Sequence, residues 1–169
     1  MSKNKKYLFF GYFFLLISFY SAYSLRINFL QEGLIYFLLV LIICISTDVG
    51  GYIFGKILKG PKLTKFSPKK TFSGMIGGYI LSIASLILIK NYSNYFEDYL
   101  SSINFKIILL VLIISTISQL GDIIISIFKR ISKVKDTGNL IPGHGGLLDR
   151  IDGMLFAFPV SYIIFLFIF

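Results

Sequence analysis

The chain has 169 residues, 56% of them hydrophobic, with 17 Lys and Arg against 8 Asp and Glu, a formal net charge of +9 and a mean hydropathy of +0.80. That hydropathy exceeds ordinary globular usage, so the composition excludes a water-soluble globular enzyme and implies one all-α integral membrane domain over residues 1–169. The single cysteine, Cys44, excludes an intrachain disulfide and reads as a buried thiol inside an apolar run.

A spanning helix needs about 20 mostly apolar residues. Five segments approach this: 7–25, 33–55, 72–89, 107–128 and 153–169. The first follows Lys3, Lys5 and Lys6, as a signal peptide would, but its apolar run exceeds the ~7–15 residues of a signal core, so a retained helix is expected. The second ends in STDVGGYIFGK, which puts Asp48 near the membrane interface with Tyr52 one turn on. A salt bridge to a loop lysine and a functional role are both open for Asp48. Gly51 and Gly55, and Gly74 and Gly78 in the third segment, have the small-xxx-small spacing that lets membrane helices approach closely. Such packing would fix both ends of the intervening loop, KILKGPKLTKFSPKKTFSG, whose Gly60-Pro61 and Ser67-Pro68 turn signals predict an irregular centre.

The loop over residues 90–106 is a polar connector without chemistry. In the fourth segment, helical spacing aligns Ser115, Ser118, Gln119, Asp122, Ser126 and Lys129 on one stripe. An acid near the centre of a membrane helix costs roughly 2.5–3.5 kcal/mol on insertion scales, so Asp122 needs a partner and its stripe should face protein or water. The stretch KDTGNLIPGHGGLLDRIDG then places 3 of the 8 acids and the only histidine between two apolar segments.

If LLDRIDGMLF opens the last helix, Asp149 and Asp152 share a face. Capping of the helix dipole is the plainer reading of each acid alone. Together with Asp122 they make an oxygen-ligand set for Mg²⁺, which takes one or two carboxylates and leaves room for substrate phosphates. Gly143, Gly145 and Gly146 around His144 form a backbone that can come close to a ligand and point amides at it. Carboxylates, cations and glycines in combination point to phosphate handling.

Positive charge orients the chain, because Lys and Arg accumulate in cytoplasmic loops. The N-terminus, the loop from Lys56 to Lys70 and the loop from Lys129 to Arg150 hold 14 of the 17 cations, while Arg26, Lys90 and Lys106 fall in the alternate loops. The N-terminus and both basic loops are therefore expected inside and the C-terminus outside. Topology accounts for the net charge better than nucleic-acid binding does.

Residues 126–152, SIFKRISKVKDTGNLIPGHGGLLDRID, resemble the signature of the phosphatidate cytidylyltransferase, or CDP-diacylglycerol synthase, family. TDVGGYIFGK with GPKLTKFSPKKT resembles that family's second sequence block and QLGDIIIS its third, so the resemblance covers about residues 47–154. It implies a multi-pass enzyme of the cell (inner or plasma) membrane in phospholipid biosynthesis. Such an enzyme makes CDP-diacylglycerol and pyrophosphate from CTP and phosphatidate, with Mg²⁺ at membrane-embedded aspartates.

Together with the chemistry above, the resemblance assigns catalysis to Asp122, Asp149, His144, Lys129 and Arg130. Substrate binding falls to Ser67, Lys69, Lys70, Thr71, Lys135, Asp136, Gly143, Gly145, Gly146 and Arg150, and metal ligation to Asp122, Asp149 and Asp152. Phe72 and Ser73 stand where the family has Trp and Glu, and the chain begins short of typical members; a homodimer would compensate for N-terminal helices.

Three rival readings are weighed against this one. Asp149-Arg-Ile-Asp152-Gly153 mimics the first half of the CDP-alcohol phosphatidyltransferase motif, but Phe156-Ala157 replaces the Ala-Arg of that motif and no acid follows Asp152. A non-catalytic membrane subunit or ion-conducting protein would explain Asp48 and Asp122 as a polar path. It leaves the Gly-His-Gly-Gly and Ser-Pro-Lys-Lys-Thr segments unexplained. A catalytically impaired relative is the third.

Overall fold

The computed structural model describes residues 3–29, 32–64, 67, 70–92, 105–134, 136–138 and 146–168. Among these are five helices: α1 (Lys3–Ile27), α2 (Gly33–Leu58), α3 (Phe72–Tyr92), α4 (Phe105–Ile131) and α5 (Leu148–Ile168). All five are long and apolar enough to cross a membrane, which makes this a multi-pass membrane protein. The helices match the five apolar segments, but α5 opens 5 residues earlier than expected, at Leu148 rather than Gly153. Asp149 and Asp152 therefore lie on its first turns, as the LLDRIDGMLF reading requires.

With lipid as solvent there is little hydrophobic drive between helices, so close backbone approach and interhelical hydrogen bonds hold the bundle. Helices α2 and α3 pack antiparallel through glycines. A Cβ on Gly50 would lie 2.4 Å from the Gly77 carbonyl oxygen, and one on Gly74 would lie 2.7 Å from that of Gly51. Gly55 also faces Gly74, as the small-xxx-small spacing implied, but the tightest pair is Gly50 with Gly77. The buried Thr47 hydroxyl bonds Ser115 Oγ at 2.8 Å, joining α2 to α4, and Tyr79 bonds Thr116 at 2.9 Å, joining α3 to α4.

Pro159 sits inside α5 and has no N–H to give the Leu155 carbonyl one turn earlier. Ser18 Oγ of α1 donates to that carbonyl at 2.7 Å, so the hydrogen bond that the proline removes is replaced from a neighbouring helix. Cys44 is fully buried in the core with Val40, Val111 and Ile114. The α2 C-terminus, the α3 and α5 N-termini and the α4 C-terminus meet at one end of the bundle.

Candidate active site

That shared end contains a cavity of about 280 Å³. Asp48 of α2, Lys70 and Thr71 of the loop before α3, Gln119 and Asp122 of α4, and Asp149 and Asp152 of α5 line it. Asp48, Asp122 and Asp152 share that lining. Carboxylates gathered in one half-buried cavity call for cations beside them. Lys70 pairs with Asp122, and Lys129 lies 2.9 Å from Asp149 Oδ1 and 3.6 Å from Asp152 Oδ2. The Lys70 ammonium is enclosed and, beyond its ion pair, has no hydrogen-bond partner among the described residues.

Local structure explains how each lysine is aimed. The loop before α3 closes on itself through a Lys62–Thr71 bridge, with Leu63 N donating to Lys70 O at 2.8 Å and Phe72 N to Pro61 O at 3.0 Å. Thr71 is the N-cap of α3: its Oγ1 accepts from Gly74 N at 3.1 Å, and its carbonyl takes the first helical bond from Met75. Lys70 is thus held one residue outside the helix start, against α4. At the end of α4, Val134 N bonds Lys129 O and Lys133 N bonds Arg130 O, each at 3.0 Å, with Lys133 at φ 58°. This is a Schellman closure, and it stops the helix one turn beyond Lys129.

Asp149 has a distinct geometry. Its Oδ1 takes the Lys129 ammonium, while its Oδ2 accepts both Thr137 N and Gly146 N at 2.8 Å. The bond from Gly146 is the backward half of a capping box at the start of α5. The bond from Thr137 ties the far limb of the glycine-rich loop to the same oxygen. Asp149 therefore clasps the base of that loop while it anchors Lys129.

Of the residues singled out in the sequence, Lys70, Thr71, Asp122, Asp149 and Asp152 line the cavity and Lys129 bridges two of them. Ser67 accepts Lys70 N through its carbonyl and Gly146 donates to Asp149, so both shape the rim. Arg130, Asp136 and Arg150 are exposed and lie outside the cavity lining. Lys69, Lys135, Gly143, His144 and Gly145 fall outside the described residues, as does most of the centre of the first basic loop. Asp48 and Gln119 join the site without having been assigned to it. The signal for Asp48 was its position one apolar helix away from Asp122, with nothing in the sequence to show that both face the same space.

The family comparison bears directly on this arrangement. A model of the cytidylyltransferase family matches residues 1–168. The chain belongs to that family. It is 41% identical over 136 residues to a phosphatidate cytidylyltransferase of Staphylococcus haemolyticus and 43% identical over 137 residues to one of Staphylococcus aureus. A third, from Staphylococcus epidermidis, is 40% identical over 135 residues. Each alignment covers 79% of this chain and 50% of the relative, so this cytidylyltransferase-family chain spans about half the length of the curated relatives it matches.

Proposed function

We propose that the chain transfers the cytidylyl group of CTP to phosphatidate, giving CDP-diacylglycerol and pyrophosphate. One observation carries this reading: residues from all three sequence blocks that resemble the family, Asp48 with Lys70, Asp122, and Asp149 with Asp152, line one cavity. The names of its relatives support it.

In the reaction a phosphate oxygen of phosphatidate attacks the α-phosphorus of CTP. The new P–O bond forms as the bond to the bridging oxygen breaks, and the electron pair leaves with pyrophosphate. The nucleophile is already anionic, so the obstacle is the approach of two anions and the charge on the leaving group. Lys70 and Lys129 offset that charge inside a half-enclosed site, where it counts for more than in water.

Among the described residues no three acids are grouped to hold a metal ion, so the oxygen donors here fit only a hard cation that takes one or two carboxylates and keeps room for substrate phosphates, as Mg²⁺ does. Asp122 and Asp152, with Asp48 beside them, would hold Mg²⁺, and the ion would neutralise triphosphate charge when bound. Asp149 contributes by fixing Lys129 and the loop; its oxygens are taken by Lys129, Thr137 and Gly146, so a metal contact there would need one of these bonds to give way. We further assign the basic loops to the cytoplasmic face of the cell membrane, where CTP is found.

The test is a product assay with the purified chain in lipid nanodiscs. CTP and phosphatidate should give CDP-diacylglycerol and pyrophosphate in equal amounts, dependent on Mg²⁺ and lowered about a hundredfold or more in Asp122→Asn. A folded chain that makes neither product is a non-catalytic relative, and the proposal fails.

A further inference from the structure

Helix α2 closes at Lys59, whose φ of 44° turns the chain back toward the start of α3. The next amide, Gly60 N, donates to Ser73 Oγ at 3.1 Å, and a Cβ on Gly60 would lie 2.8 Å from that oxygen, so the exit of α2 is seated directly on Ser73. Ser73 Oγ in turn lies 3.0 Å from Thr71 Oγ1, which accepts Gly74 N at 3.1 Å. The Thr71 hydroxyl has little room to move, since a Cβ on Gly55 or Gly74 would lie 3.1 or 3.2 Å from its oxygen. Thr71 lines the charged cavity beside Lys70, whereas Ser73 stands behind it, outside the lining.

A hydroxyl carries one proton and two acceptor positions. Each oxygen of this pair already accepts a backbone amide, so one proton lies between the two and the other is free. With Thr71 as the donor, the free proton is on Ser73, outside the cavity. With Ser73 as the donor, Thr71 accepts twice and keeps its own proton free at the cavity wall. An anionic phosphate in the cavity selects the second arrangement, because only there does the free proton meet a charged acceptor.

Resting on the reaction proposed above, we infer that Ser73 is a positioning residue that gives its proton to Thr71 and so commits the Thr71 hydroxyl to a substrate phosphate oxygen next to Lys70. Ser73 touches neither substrate. It acts by filling the second acceptor position of Thr71, while Gly60 N holds the Ser73 oxygen in place from the α2 side. The end of one helix thereby sets the proton direction at the start of the next.

The test is equilibrium dialysis of radiolabelled CTP with Mg²⁺ against the full chain in nanodiscs, without phosphatidate. Ser73→Ala should weaken CTP binding about fivefold, the loss of one hydrogen bond, and Ser73→Thr, which keeps the hydroxyl, should restore most of it. In Thr71→Val the phosphate donor is already gone, so adding Ser73→Ala should weaken CTP no further. Ser73→Cys, a poorer donor of similar size, should fall between wild type and Ser73→Ala, which keeps the test readable if Thr71→Val disturbs the start of α3. Hydrogen exchange at the Gly60 amide reports the seat of α2 by itself and should speed in Ser73→Ala but not in Ser73→Thr. If CTP affinity holds in Ser73→Ala while the KM for phosphatidate rises about fivefold, the phosphate that Thr71 meets is the lipid's.

Faster exchange at Gly60 with CTP affinity and both KM values unchanged reduces Ser73 to a brace and overturns the inference. So do additive losses in the Thr71→Val pair, or a wild-type chain that binds no CTP. Because dialysis needs no turnover, CTP binding that depends on Ser73 without CDP-diacylglycerol formation would sink the catalytic reading and leave the hydroxyl pair standing. Turnover in which CTP binding and both KM values ignore Ser73 would do the reverse.

Discussion

Asp149 and Asp122 carry the same functional group and do different work. Asp122 is a membrane-embedded acid whose charge is met by Lys70, whereas Asp149 spends both oxygens on Lys129 and two backbone amides. In Asp149→Asn the amide NH₂ would confront either the lysine or the two N–H donors, and charge-assisted bonds worth roughly 1.5–3 kcal/mol would be lost. Turnover should fall about a hundredfold, as it should in Asp122→Asn. Only Asp149→Asn should also speed hydrogen exchange at the Thr137 and Gly146 amides, and equal exchange in the two variants would remove the clasp. Lys70 pairs with Asp122, so Mg²⁺ bound there as proposed would compete with it. Lys70→Met should therefore tighten Mn²⁺ binding to the nucleotide-free protein by about tenfold, the effect of roughly one half-buried ion pair, while weakening use of CTP. Unchanged Mn²⁺ affinity in a spectroscopic titration means that Lys70 and the metal do not compete. The value of Asp122 was legible in the sequence because an ionisable group in an apolar run is costly wherever it points. The clasp was not, because it joins Thr137 to Asp149 across a loop whose closure no local pattern encodes.

At the scale of helices, the glycine spacing revealed that α2 and α3 pack closely but not which glycines touch. The doublets Gly50-Gly51 and Gly77-Gly78 allow two registers, and small-xxx-small spacing selected Gly51 where the nearest approach is at Gly50. Gly50→Ala would press its methyl against the Gly77 backbone and should lower thermal stability in detergent by about 1–3 kcal/mol. Gly51→Ala, whose Cβ would sit at an ordinary 3.7 Å from Gly74 O, should be nearly neutral. If the two behave alike, the register is different. The proline of α5 permits a sharper measurement. Ser18 replaces the hydrogen bond that Pro159 denies the Leu155 carbonyl, so Ser18→Ala should cost about 1 kcal/mol in the wild-type chain and much less in Pro159→Ala, where the helix supplies its own donor. Additive losses across that double-mutant cycle would show that the carbonyl finds its partner elsewhere. Neither residue was flagged in the sequence, since a serine in α1 and a proline in α5 become partners only once those helices run parallel.

Across the whole molecule, the number of helices followed from apolar length alone, and the placement of the site follows from their alternation. Any five-span chain brings the ends of α2 and α4 to the same side as the starts of α1, α3 and α5, and the cations collect on that side. The cavity with Asp48, Asp122 and Asp152 opens among those ends, next to the loop carrying Lys70. A charged substrate that cannot cross the bilayer must therefore arrive from whichever compartment the basic loops face. The positive-inside bias, 14 cations against 3, predicts that this compartment is the cytoplasm. Cysteine labelling in intact cells checks the assignment, with Cys44→Ser as background. Lys62→Cys reports on the basic loop before α3, and Asn94→Cys on the connector between α3 and α4. A membrane-impermeant thiol reagent should modify position 94 and spare position 62 until the membrane is opened. Both single-cysteine chains must retain wild-type expression, since a change of topology could follow from removing Lys62 itself; a Lys59→Cys chain, one charge away in the same loop, guards against that. If positions 59 and 62 react from outside while 94 does not, the bundle is inverted, and a CTP-dependent reaction at this site loses its supply of nucleotide.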